Sequence, residues 1–80
     1  MDTKVYAVNI ARGMAAIEVQ HDDHTIIEVT NPDELQAGDL VILDEETHQL
    51  FNVTQSMEVG DWKLQNQHVP QTEVRQQLFL

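Results

Sequence analysis

Apolar residues recur at every second position near the start of this chain, and a period of two is the repeat of a strand with one face buried. Tyr6, Val8 and Ile10 share one side of a first segment, and Ala15, Ile17 and Val19 share one side of a second. Arg12-Gly13-Met14 lies between them. Glycine there supplies the positive φ of a tight turn, so residues 4–20 read as a β-hairpin. A polar turn over 20–24 leads into Thr25-Ile26-Ile27-Glu28-Val29-Thr30, a β-branched run that suits a third strand in meander order.

Asn31-Pro32-Asp33-Glu34-Leu35-Gln36-Ala37-Gly38 has the marks of one short helical turn: Asn31 as N-cap, proline at the first helical position, acids early and glycine at the stop. Leu40-Val41-Ile42-Leu43 is a continuous apolar run, consistent with a strand buried on both sides. Leu50–Thr54 forms a fifth strand and Trp62-Lys63-Leu64 begins a sixth. The Gln- and Asn-rich residues 65–71 break the pattern, and Thr72–Leu78 suits a short helix, with Val74 and Leu78 four apart, or a last strand. Val29-Thr30 before Gly38-Asp39 is echoed by Val53-Thr54 before Gly60-Asp61, a strand–loop–strand pattern in which glycine takes a positive φ and aspartate accepts from loop N–H groups.

The expected fold is therefore all-β: one domain over residues 1–80, a small five- to six-stranded antiparallel barrel with a short helical turn and a possible C-terminal helix. Its core spans about residues 4–64, with 65–80 as a C-terminal extension. Val8, Ile10, Ile17, Val19, Ile27, Val29, Leu40, Ile42, Phe51 and Val53 are the expected buried set.

Leu35-Gln36-Ala37-Gly38-Asp39-Leu40-Val41 resembles the Leu-x-x-Gly-Asp-x-Val stretch of S1-like members of the OB-fold barrels, a motif shared with SH3-like barrels. The similarity covers roughly residues 4–55 and implies a ligand face on the second and third strands. Those strands, Ala15–Gln20 and Thr25–Thr30, carry no Lys, Arg or aromatic residue, so the charge attraction and the stacking platform of single-strand binding are missing.

Charge points the same way. The net charge is −10; no Lys or Arg occurs between Arg12 and Lys63, while twelve Asp and Glu fall between Glu18 and Asp61. Such a surface repels phosphate, which argues against nucleic acid and anionic membrane. An OB-like nucleic-acid site would need Lys4, Arg12, Lys63 and Arg75 to gather on one face. No run approaches the roughly 20 apolar residues of a membrane span. The absence of cysteine excludes disulfides and thiolate metal sites and fits a reducing, cytoplasmic setting.

Two acidic turns, His21-Asp22-Asp23-His24 and Asp44-Glu45-Glu46 with His48, place imidazole beside carboxylate, the ligand chemistry of a weak divalent-cation site. No EF-hand or His-Glu-x-x-His spacing occurs, so solvated hairpin tips are the simpler reading. Ser56 is the only serine, and His68 has no acid within four residues, so no catalytic constellation, and no cofactor, is expected. Trp62, Leu78, Phe79 and Leu80 are large apolar groups near the C-terminal end. They suit either core or contact, and through them a partner protein or a second copy of the chain. The expected role is a non-enzymatic protein-interaction module.

Overall fold

The computed structural model describes residues 3–80 and contains one antiparallel sheet of seven strands, curled into a half-barrel. The strands are β1 (Thr3–Asn9), β2 (Met14–Gln20), β3 (Asp23–Val29), β4 (Leu40–Asp44), β5 (Gln49–Asn52), β6 (Met57–Glu58) and β7 (Trp62–Val69). Their order in space is β6-β5-β4-β1-β2-β3-β7. A 3-10 turn at Pro32–Glu34 links β3 to β4, and a helix, α1 (Gln71–Phe79), closes the chain. The all-β barrel-like architecture is as the alternation predicts, with seven strands in place of the five or six expected.

The β1–β2 turn depends on Gly13, whose φ is +65° and where an added Cβ would meet the Val29 carbonyl oxygen at 2.9 Å. That closeness is functional for the fold, because the Val29 N–H donates to the Gly13 oxygen at 2.7 Å and ties the hairpin tip to β3. At the second glycine loop the Asp39 carboxylate accepts from the Gln36 N–H, as the Gly-Asp pattern requires, and Gly38 takes φ +95°. The echo at Gly60-Asp61 differs: the positive φ, 32°, belongs to Asp61. The Asn31 side chain does not cap the 3-10 turn; its main-chain oxygen accepts from Glu34 instead.

Two apolar layers form, one on each face of the sheet. The inner layer contains Val5, Ala15, Ile17, Ile27, Val29, Leu35, Val41, Leu50, Val59 and Trp62. The outer layer packs Val74 and Leu78 of α1 onto Ala16, Ile26 and Val69, with Tyr6, Ala7 and Met14 at its margin. Residues 65–80 are thus integral to the packing: Gln65–His68 extend β7, and α1 settles the helix-or-strand alternative in favour of helix. The polar residues of β7 are tolerated because it is an edge strand, buried only at Trp62 and Val69, and its ladder with β3 is broken by two register shifts.

Five residues of the expected core are instead exposed: Ile10, Leu40, Ile42, Phe51 and Val53. Ile10 lies past the end of β1, in the β1–β2 turn, and two nonlocal features set the facing of the strands themselves. A bulge in β1 between Val5 and Ala7 adds one residue, so Val5 and Val8 face inward while Tyr6 and Ala7 face the helix, and Tyr6 and Val8 do not share a side. In the β4–β5 hairpin the inward positions belong to Val41, Leu43, Leu50 and Asn52, which turns Leu40, Ile42, Phe51 and Val53 outward. The run Leu40–Leu43 is therefore buried on one side only.

Candidate interaction surface

Asn52 sets the phase of this hairpin. It is fully buried, its amide donates to the Glu34 carbonyl at 3.0 Å and to the Asp39 carboxylate at 2.8 Å, and its oxygen accepts from the Gln55 N–H at 3.1 Å. A buried amide needs such partners, and they exist only at the inner end of the barrel, so Asn52 points inward and its neighbours Phe51 and Val53 point out. The same Asp39 oxygen also accepts from Gln55 Nε2 at 2.8 Å and from the Gln36 N–H at 3.0 Å. Burial alone would raise the Asp39 carboxyl, but the bonds from Asn52, Gln55 and Gln36 favour the charged form and hold it below its ordinary value.

The outer face of β4–β5 is an apolar grid. Ile42 lies directly across from Phe51 in the ladder, and Leu40 lies beside Val53, whose N–H donates to the Leu40 oxygen. Exposures are 44% for Leu40, 60% for Ile42, 41% for Phe51 and 42% for Val53. Isolated exposed apolar residues are ordinary, but three on facing positions of β4 and β5, with Val53 directly after β5, form a contiguous patch. Its rim is acidic: Asp44 ends β4 on the same side and Glu58 lies across from Phe51. The nearest base, Lys4 across from Leu40, is held 3.6 Å from Glu18.

The two acidic turns disperse their side chains. Asp22, at φ 58°, accepts from the Gln71 N–H at 2.8 Å and so caps α1, which has no capping side chain of its own. His21 is exposed. His24 is buried beneath Tyr6, with Nδ1 3.1 Å from the Val69 oxygen and Nε2 3.5 Å from Glu18. Asp44 accepts from the Glu46 and Thr47 N–H groups in its own turn, and Glu45 accepts from Gln67. Asp23, Asp44, Glu45, Glu46 and His68 border one cleft of about 650 Å³, yet among the described residues no three ligating side chains stand where they could hold one ion.

His48 stacks on Trp62 across the open seam between the β4–β5 turn and β7. Beside that pair a second cleft, about 780 Å³, is bordered by Arg12 and Lys63 together with Glu28, Glu58 and Asp61. Its charges are mixed, so two of the four basic residues come together without a basic surface. Arg12 donates to the main-chain oxygens of Leu78 and Leu80, which fastens the C-terminal end. Trp62 is 5% exposed and Leu78 is fully buried, so both belong to the core, while Phe79 and Leu80 face solvent. Ser56 sits in the β5–β6 turn, and the exposed His68 lies 3.4 Å from Asp23 with no hydroxyl partner.

The four residues of the apolar grid read as core in the sequence, because each is a strand-forming apolar residue. One signal for it was present: in an uninterrupted run such as Leu40–Leu43 half the side chains must leave a one-sided core, and Asn52 between Phe51 and Val53 marks where the phase inverts. No protein-family model, curated protein or solved structure matches this chain. No helix among the described residues is long and apolar enough to cross a membrane.

Proposed function

We propose that this chain is a non-enzymatic protein-interaction module that binds a partner protein of opposite charge on the outer face of its β4–β5 hairpin. The observation that carries the reading is the exposed grid of Leu40, Ile42, Phe51 and Val53 inside an acidic rim. Apolar side chains at the centre with charged groups around them are the arrangement of a protein contact, where burial supplies affinity and the rim supplies orientation and on-rate. The tail contributes less, since Leu78 is already used in packing α1.

The test is capture of the partner by the full chain and by the Ile42→Ser/Phe51→Ser double variant, at low and high salt. The wild-type chain retains a specific protein, more weakly as salt rises, and the double variant loses it. Equal retention by the double variant overturns the reading. An anisotropy titration with single-stranded DNA and RNA accompanies it, with no salt-sensitive binding expected from a chain of net charge −10.

A further inference from the structure

The outer face of the sheet is covered over one half and bare over the other. Above β1, β2 and β3 the chain lays its own helix: Val74 and Leu78, four apart on α1, seat on Ala16 and Ile26. Above β4 and β5 the apolar residues have no such cover among the described residues. We infer that the bare half receives a basic amphipathic helix of a partner protein, lying on β4–β5 as α1 lies on its neighbours. This inference rests on the interaction-module reading and names the partner's chemistry.

Three features select this occupant. First, β4 and β5 are both internal to the sheet, each with a neighbour on either side, so what they offer is a face rather than a free edge, and a strand-adding peptide has nothing to pair with there. Second, the dimensions match a helix: residues two apart on a strand are separated by about 6.7 Å, and residues four apart on a helix by about 6 Å, so Leu40–Ile42 or Phe51–Val53 meets an i, i+4 pair. Third, the rim carries Asp44 and Glu58 while its one base, Lys4, is already paired with Glu18, so it selects positive flanks on the partner. A second copy of this chain would set like rims against each other at a net charge of −10 each.

The test has two arms. A photo-reactive phenylalanine analogue is placed at position 42 or 51 of the full chain in its native cells, and the adduct is mapped by mass spectrometry. A cross-linked segment with apolar residues at i and i+4 and Lys or Arg on its other faces supports the inference. A partner segment of any other kind overturns the helix but leaves the module reading standing, whereas self-adducts alone, or no adduct, overturn both.

In the second arm, three synthetic Leu/Lys or Leu/Glu peptides of about four turns are titrated into the isotopically labelled chain. They are a basic helix-period peptide, its Glu counterpart, and a basic peptide with strictly alternating Leu and Lys. The basic helical peptide shifts amides of residues 40–43 and 50–53, binds about tenfold more tightly than the other two, and loses about tenfold in affinity in the Ile42→Ser/Phe51→Ser variant. Equal binding of the alternating or acidic peptide, shifts confined to other residues, or no binding by the basic helical peptide overturns it.

Discussion

The imidazole of His48 lies flat on the indole of Trp62, ring centres 4.0 Å apart and planes 7° from parallel, while its Nε2 reaches the Trp62 carbonyl oxygen at 2.7 Å. A carbonyl only accepts, so Nε2 carries the proton, in the neutral ring as well as in the imidazolium. One side chain thus spans a seam that no strand ladder closes, with the Gln67–Glu45 hydrogen bond as a second link.

Removing that clasp loosens the seam without emptying the core. His48→Ala is expected to cost about 1 kcal/mol from the lost stack and hydrogen bond. His48 holds φ 56°, so His48→Gly relieves backbone strain and costs less than alanine. Denaturant melts give the ranking, and Trp62 emission reports the lost contact in both variants.

Asp39 makes stability depend on acid. Its folded carboxyl is held below the ordinary value, so the stabilisation is complete above the unfolded pKa and fades as pH falls through the folded one. Stability should therefore decline below about pH 4, and Asp39→Asn should flatten that part of the profile. Asp39→Ala, which leaves the buried Asn52 amide short of a partner, is expected to cost about 1–3 kcal/mol at neutral pH.

The burial of the inner layer and the exposure of the outer face of β4–β5 can be read directly from stability. Ile17→Ala, in the inner layer, is expected to cost about 2–5 kcal/mol. Ile42→Ser and Leu40→Ala should each stay within about 1 kcal/mol of wild type, since both side chains already meet water. Comparable losses at positions 17 and 42 in urea titrations would mean that the hairpin faces the other way.

The Asp22 cap links the β2–β3 turn to the start of α1. Asp22→Ala loses the acceptor for the Gln71 N–H and places alanine at a positive φ, for an expected cost of about 1–2 kcal/mol. Asp22→Asn keeps both the acceptor and the tolerance of that backbone and should lie close to wild type. Hydrogen exchange of α1 amides distinguishes the variants, with faster exchange in alanine alone.

Local chemistry makes most of the strands legible in the sequence alone. β-branched runs, alternation and turn residues such as Gly13 and Gly38 act over a few neighbours, and the spacing of Val74 and Leu78 marks a helical face by itself. β7 was only half legible: Gln65–His68 have weak strand preference, and they are extended because β3 offers them a ladder. The short β6 left no mark, since two residues carry no period.

The direction in which each strand faces is set by contacts distant in sequence. Phase in a strand is binary, and a single distant event inverts it. The bulge at Tyr6 does so in β1, and in β5 the hydrogen bonds of Asn52 to Glu34, Asp39 and Gln55 do so. Leu40, Ile42, Phe51 and Val53 are apolar whichever way they point, so composition and period identify them as strand residues but cannot assign them to core or surface. Their place on the outside follows from a buried amide that finds its partners only when the fold is complete.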